Sequence, residues 1–312
     1  MINSIPKNNF FRMINDKVRN LFYYQSLTSA KDKVVIDVGA GTGILSAYAL
    51  HHGAKFVYAI ERGQKESVVA KKLLSENFDT KKFRVVNKDF WSEDIFSYFD
   101  HDIEILVSET INYDILGEGL LKTWRHIKPN VTQNFESIPN QLQIDALLYK
   151  NPIQKFPWLK TRLQLTPENL LHKGFATSLN NIHEKLSAGT TQHLIDFPVP
   201  EMIDFDNKID NVIDVSFKQY DGQEISFECT VDCPSLIVFC GKILCNDNVL
   251  YVHNPNNPTH WSNGLSFYFD KPGTYKVIFV EDAETNLIEW TNDSSASEIW
   301  PYNCSWKYNL VN

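Results

Sequence analysis

A chain of 312 residues with 43% hydrophobic and 22% charged side chains is long enough to bury two cores and has an ordinary globular composition. A net charge of −8 argues against nucleic acid as a main partner, no apolar run reaches membrane-spanning length, and the leading MINSIPKNNFFRM has no signal-peptide core. Five cysteines without a C-x-x-C argue against a disulfide framework and a zinc site, so no metal is expected and cytoplasm is the expected compartment. Residues 10–27, FFRMINDKVRNLFYYQSL, carry Phe10, Met13, Ile14, Val18, Leu21 and Phe22 near helical spacing. That pattern predicts one amphipathic helix, with Arg19 as its odd residue.

The stretch 34–61, VVIDVGAGTGILSAYALHHGAKFVYAIE, predicts a βαβ unit. A short apolar strand with Asp37 near its end runs into Gly39-Ala40-Gly41-Thr42-Gly43, a helix follows over 44–52, and Gly53 ends it. A second strand over 56–60 closes on Glu61. Glycines let the backbone approach a ligand, the helix start offers unpaired N–H groups, and an acid at that strand end suits two ribose hydroxyls. The spacing is G-x-G-x-G rather than a dinucleotide fingerprint, and no Lys-Ser/Thr follows as a phosphate loop needs. A doubly wound sheet that binds nothing could carry the same turn. A helix over 66–78, a strand over 83–86 leading into Asn87-Lys88-Asp89-Phe90-Trp91, a strand over 103–107 leading into Ser108-Glu109, and a turn over 127–130 come next. This alternation predicts an open parallel α/β sheet to about residue 139.

Beyond residue 140 the segments QLQIDALLY, VIDVSF, ISFECTV, SLIVFCGKIL, GLSFYF, TYKVIFV and SWKYNL read as strands between turns, a β domain built as a sandwich or a barrel. Within it, 156–188 contains LTPENLLHKGFA and SLNNIHEKL, with Thr166 and Pro167 marking a helix start. Such an insertion serves either as a flap over a site or as an arm to a second subunit. The expected division is an N-terminal helix and lid over 1–30, an α/β domain over 31–139 and a β domain over 140–312.

Two acids and one distant segment carry the chemistry. Residues 108–118, SETINYDILGE, place Glu109 at the carboxyl end of a parallel strand, where open sheets bind ligands. Glu118 follows nine residues later, enough for a tight loop to return and face it. Far along the chain lies Thr259-His260-Trp261.

The glycine stretch with Asp37 and Glu61 resembles a class I S-adenosylmethionine methyltransferase. Adding SETINYDILGE, THW, and Met13, Asp16, Arg19 and Tyr23 of MINDKVRNLFY, nearly the whole chain resembles the protein arginine N-methyltransferase family. The order of parts agrees as well. The resemblance implies a Rossmann-like cofactor domain followed by a β-barrel with an inserted helical dimerisation arm, acting as a homodimer. It implies S-adenosyl-L-methionine as cofactor and arginine in a protein or peptide as substrate. Glu109 and Glu118 would hold the guanidino group, with His260 as a hydrogen-bonding partner or proton relay. Trp261 and Tyr113 would lie against the substrate, where an aromatic face favours a cation. Arg19 would pair with the methionyl carboxylate, Asp37, Gly39, Gly41, Thr42 and Gly43 would form the cofactor turn, and Glu61 would bind ribose. Asp89, Phe90 and Trp91 would border adenine, with Met13 near the sulfonium and Glu109 close to the cofactor.

The physical case for paired acids is that guanidinium is protonated and a poor nucleophile. Two carboxylates grip it through fork-like hydrogen bonds and draw charge toward the nitrogens they touch, freeing the remaining nitrogen to attack. Three features depart from the family pattern. Thr110-Ile111-Asn112 stands where the family has Trp-Met-Gly, no Tyr-Phe-x-x-Tyr lid helix occurs in the first twelve residues, and Phe10-Phe11 replace a histidine. The lid is therefore expected to be short, and His260 to lack its usual partner. A short lid and altered loop also suit methyl transfer to free arginine or a small guanidino or amine metabolite. An inactive cofactor-binding scaffold is the third reading.

Overall fold

The computed structural model describes residues 12–111, 115–132, 134–159, 194–257, 259–261, 263–280 and 305–311. Tyr113, Thr166, Pro167 and nearly all of the expected helical insertion lie outside them. The chain divides into two compact units, residues 1–143 with 214–222 and 241–262, and residues 144–213 with 223–240 and 263–312.

The first unit holds the parallel sheet. Strands β1 (Val34–Val38), β2 (Phe56–Ile60), β3 (Phe83–Val86), β4 (Ile105–Ser108) and β5 (Glu136–Ile138) lie in the order β3-β2-β1-β4-β5. All four pairings are parallel, with Val34 opposite Phe56 and Val35 opposite Ile105. Every position of β1 is buried, as expected of a strand covered on both faces, so the sequence reads as an apolar run without alternation. Helices α1 (Lys17–Ser26), α2 (Ile44–His51), α3 (Gln64–Asn77) and α4 (Leu120–Ile127) belong to this unit.

Two elements differ from expectation. The single helix over 10–27 is broken. Residues 12–14 are helical, Asp16 is extended, and its side chain accepts from the Arg19 amide to start α1 afresh. The inward face is turned accordingly: Leu21 is 55% exposed, whereas Arg19 is only 4% exposed because its guanidinium has a buried partner. Helix α4 was not expected, since only the turn after it carries Pro and Asn. It buries Leu120, Leu121, Trp124 and Ile127, and Trp124 stacks on Phe217 at 4.8 Å. Burial of such a side chain contributes about 1.5–3 kcal/mol, which outweighs the absent sequence cap.

The second unit is antiparallel. Strands β6 (Gln141–Lys150), β7 (Leu194–Pro198), β8 (Asn207–Ser216), β9 (Ile225–Val231), β10 (Ser235–Cys245), β11 (Asn248–Tyr251), β12 (Asn263–Phe269), β13 (Gly273–Val280) and β14 (Ser305–Val311) make up the β part of the chain. One sheet runs β7-β12-β10-β6-β8, with β11 on β10, and another runs β14-β13-β9. The ends of β6, β8 and β10, together with β11, fall within the first unit's residues. The expected barrel is not closed: among the described residues no pairing joins the six-stranded sheet to the three-stranded one. Strands β7 and β11 are additions to the expected set. Cys245 pairs with Asn248, so β10 and β11 are joined by the two-residue turn Asn246-Asp247, with Asn246 at φ 52°. Such a turn is a hairpin signal that the brevity of β11 conceals.

Candidate active site

At the carboxyl end of β1 the backbone does the shaping. Gly39, Gly41 and Gly43 all take positive φ, of 74°, 53° and 83°. The amides of Gly39 and Ala40 both donate to the Ile60 carbonyl, at 3.0 and 2.9 Å, which ties the turn to the end of β2. A Cβ on Gly39 would stand 2.9 Å from Thr110 Cγ2, so only glycine lets the turn pass there. Glu61 accepts from the amides of Gly41 and Gly63, each at 2.7 Å. Burial raises its carboxyl above the usual range, although these two bonds oppose the shift. Each of its oxygens keeps a further lone-pair direction for another donor.

Asp37 lies fully buried under this turn. Its Oδ2 accepts from the Ser46 amide at 2.9 Å and hydroxyl at 2.7 Å, clamping the first turn of α2 to β1. Burial pushes its carboxyl up to about 7. Its Oδ1 is buried without a partner, as is Nε of Arg19.

The second cluster stands at the end of β4. Ser108 Oγ donates to the Val38 carbonyl at 2.9 Å, and Tyr23 of α1 donates to the Ser108 carbonyl at 3.2 Å. Strand end and helix are thereby set against each other, and the next residue, Glu109, meets Arg19. Arg19 Nη2 lies 2.9 Å from Glu109 Oε2, with side-chain exposures of 4% and 7%. Nη1 donates to Asn20 Oδ1 at 2.9 Å. Burial would lower the Arg19 pKa, but the Glu109 carboxylate outweighs it and holds the guanidinium charged. Glu109 Oε1 lies 3.8 Å from His260 Nε2.

His260 has the partner it was expected to lack. Its amide donates to Asp16 Oδ2 at 2.7 Å, and its Nδ1 lies 3.0 Å from the same oxygen. The partner is the N-cap aspartate of α1 rather than a histidine. The signal was available, because Asp16 stands three residues ahead of Arg19 at capping distance. Burial would raise the Asp16 carboxyl, yet the bonds from His260 and Arg19 prevail and hold it below its ordinary value. A carboxylate only accepts, so Nδ1 carries its proton toward Asp16 and the ring is held with Nε2 on the side of Glu109. Trp261 is 5% exposed and donates from Nε1 to the Ile111 carbonyl at 2.7 Å.

The remaining expected residues are placed as follows. Glu118 is half-buried in the turn before α4, followed by Gly119 at φ 86°. Met13 and Thr42 are half-buried. Asp89 Oδ1 accepts from the Trp91 amide at 2.9 Å and so shapes the turn after β3. Phe90 is buried beside His126 and Phe96, with ring centroids 5.3 and 6.1 Å away. Trp91 donates to Thr123 of α4 at 3.3 Å, and Lys122 Nζ sits 4.8 Å from its ring. The structure thus gathers Asp16, Arg19, Glu109 and His260 into one network, and Gly39, Gly41, Gly63 and Glu61 into another. Among the described residues no cluster of three His, Cys, Asp or Glu could hold a metal.

Comparison with known proteins agrees with this arrangement. The model of the family described as Ribosomal protein L11 methyltransferase (PrmA) matches residues 19–134. Protein arginine N-methyltransferase 7 of Cricetulus longicaudatus is 32% identical over 160 residues, which cover 47% of this chain and 23% of that protein. The chain thus spans about a quarter of the length of the curated relatives it matches. Among solved structures, a crystal structure of PRMT6 is similar with a TM-score of 0.61 and 16% identity, covering 97% of this chain and 100% of that one. The Trypanosoma brucei PRMT1 enzyme-prozyme heterotetrameric complex with AdoHcy gives a TM-score of 0.62 at 15% identity, over 96% and 98% of the two chains. At those identities the structures speak for the fold, and the sequence match speaks for kinship. The chain is thus similar in sequence to protein arginine N-methyltransferases over about half its length, and it shares the fold of these solved structures.

Proposed function

We propose that the chain is an S-adenosylmethionine-dependent N-methyltransferase acting on the guanidino group of arginine in a protein or peptide. The observation that carries this reading is the buried network of Arg19, Glu109, His260 and Asp16 beside the glycine turn. The residues present fit the cofactor. Arg19 Nε and Asp37 Oδ1 are buried polar atoms without partners, suited to the charged amino-acid end of such a molecule. Gly39 has no room for a Cβ, and Glu61 has acceptor capacity left for a ribose. When bound, the cofactor supplies a methyl group on a positively charged sulfonium. Arg19 would hold its carboxylate, the glycine turn would let it pass, and Glu61 would take the ribose hydroxyls, with Asp37, Thr42 and Gly43 in the turn. Met13, Asp89, Phe90 and Trp91 would border it.

Glu109 and Glu118 would grip the guanidinium, fix one nitrogen in line with the methyl and favour the charge at the nitrogens they touch. Holding reactants in that alignment is a large part of what a site can contribute. Arg19, the glycine turn and Glu61 would hold the cofactor so that it supplies its methyl group to the nitrogen that Glu109 and Glu118 hold in line. The nitrogen then gives up a proton, and His260, with Asp16 behind it, is the described group poised to accept one. Tyr113 and Trp261 would flank the substrate. The units proposed are a lid and helix over 1–30, a cofactor domain over 31–139 and a β domain over 140–312. Within the last, the insertion at 156–188 would serve as the arm of a homodimer. Exposed Leu21 and Val68 on α1 and α3 support an apolar docking face for it. The cytoplasm is the proposed compartment, supported by four free cysteines among the described residues.

Mass spectrometry of reactions containing S-adenosylmethionine labelled in its methyl group, with arginine peptides and free arginine offered together, tests this reading. Label on peptide arginine is expected. Label on free arginine alone would move the assignment to a small guanidino substrate. Label on neither, with S-adenosylhomocysteine still bound, would make the chain a scaffold.

A further inference from the structure

Between the two acids the chain is gripped twice by one distant segment, residues 241–262. Beside the first acid, Ile111 is buried, and its carbonyl accepts the indole proton of Trp261 at 2.7 Å. Beside the second acid, Ile115 is fully buried and takes φ 74°, a left-handed conformation that a β-branched side chain resists. Its side chain fills the space over Gly241. A Cβ there would meet Ile115 Cδ1 at 2.7 Å, Cγ1 at 2.8 Å and Cγ2 at 3.2 Å. Gly241 cannot drift to accommodate the loop. Its carbonyl accepts from Val252 at 2.8 Å and its amide donates to His253 Nδ1 at 3.3 Å. The far end of the segment is tied as well, with Thr259 Oγ1 donating to the Val252 carbonyl at 2.5 Å and the His260 amide to Asp16.

We infer that residues 241–262 act as a template for the two-acid loop, with Trp261 fixing Ile111 and Gly241 fixing Ile115, so that both are positioning residues for Glu109 and Glu118. The inference rests on the proposed function, since it concerns where the two carboxylates stand. A strained residue persists only where its surroundings over-determine it, and such strain collects at sites whose geometry matters. Ile111 stands two residues after Glu109, and Ile115 three residues before Glu118. Releasing either grip lets the loop relax and carries a carboxylate out of register. Trp261 on this reading acts through the loop backbone, by way of its indole nitrogen, whatever its ring contacts.

The test compares the full-length chain with Trp261→Phe, Gly241→Ala, Ile115→Ala and the double variant Gly241→Ala/Ile115→Ala. Phenylalanine keeps the ring and removes the donor. Alanine at 241 drives a methyl into Ile115, and alanine at 115 makes room for it. Because a misplacement of about 1 Å can cost about 10²-fold, Trp261→Phe and Gly241→Ala should each lower kcat on an arginine peptide at least about tenfold. S-adenosylhomocysteine affinity should stay within about threefold, so the loss falls on turnover rather than on the cofactor. The double variant should turn over faster than Gly241→Ala alone, a rescue that general damage would not give. Amide hydrogen exchange over 109–118 should quicken in Trp261→Phe and in Gly241→Ala, and be slower in the double variant than in Gly241→Ala. Unchanged kcat and exchange in folded Trp261→Phe and Gly241→Ala overturn the inference. Should Gly241→Ala fail to fold, Trp261→Phe decides by the same readouts. Should the parent chain methylate no arginine, the proposed function fails by itself, and exchange over 109–118 still decides whether the template exists.

Discussion

The two halves of the candidate site sit on neighbouring strands of one sheet and are made in opposite ways. The glycine turn is local: Asp37, three glycines, Ser46 and Glu61 come from one run of 25 residues, and most of its hydrogen bonds begin at backbone amides. The acid network is assembled from afar. Asp16 and His260 are 244 positions apart, Arg19 and Glu109 are 90 apart, and every contact in it ends on a side chain. A local, backbone-built site tolerates changes everywhere except where a Cβ or a capping acid would be altered. A site closed by long-range side chains fails when any one charge is removed, because a buried partner is left uncompensated.

The sharpest way to break this contrast is Glu109→Gln. It removes the carboxylate facing Arg19 and His260 while keeping the shape, and should cost about 10²-fold or more in turnover, the scale for a preorganised electrostatic group. Because Glu109 also holds Arg19, S-adenosylhomocysteine affinity should weaken too, whereas Glu118→Gln should lower turnover and spare that affinity. Calorimetry showing equal affinities in both variants would detach Arg19 from the cofactor.

Next in size is Glu61→Ala. It strips one acceptor from two amides, Gly41 and Gly63, and should weaken S-adenosylhomocysteine binding by about 1–3 kcal/mol, with little effect on the network around Glu109. Retained affinity would show that the glycine turn does not use this acid.

Asp16 separates capping from chemistry. Asp16→Ala should lose about 0.5–2 kcal/mol of stability through the cap, as thermal melts would measure. Asp16→Asn can still cap Arg19 but presents an amide to His260, so it should melt near the parent while its pH–rate profile shifts. Two variants with matching melts and matching profiles would dissolve the distinction.

The smallest effect concerns Asp37. Burial holds its folded-state pKa at about 7, well above the ordinary aspartate value of about 3.9, so the folded chain keeps a proton that the unfolded chain has released. The stability from this proton is fully present below about pH 4 and is lost as pH rises through about 7. Melting temperatures across that window should fall more steeply for the parent than for Asp37→Asn. Parallel curves would mean that Asp37 contributes nothing to the slope.

The same contrast explains what the sequence made legible. Strands β2 and β3 and the start of α2 were readable to the residue because glycines and apolar runs mark them directly. Arg19, Glu109 and His260 were nominated by motif, but their mutual geometry was not, since no local pattern encodes contacts across the chain. The partner of His260 was sought in the wrong residue type for that reason. Helix α4 was missed because Gly119 at φ 86° replaces a side-chain cap, so the usual start signal is missing. The break before α1 was missed because an apolar pattern runs across it, and only the Asp16 side chain, through the Arg19 amide, interrupts the helix.

That aspartate joins two things usually treated apart. One planar carboxylate caps the start of α1 through Oδ1 and orders the imidazole through Oδ2. Its two oxygens cannot turn independently, so fraying of one helical turn and loss of one imidazole tautomer are the same event. Arg19 lies in that turn and faces Glu109, so its charge would come loose at the same moment. The ring nitrogens of His260 therefore serve as a gauge of helix winding. Their nitrogen resonances, followed while the first turn of α1 is weakened by substitution at exposed Lys17, should report the state of a helix that begins 243 residues earlier in the chain.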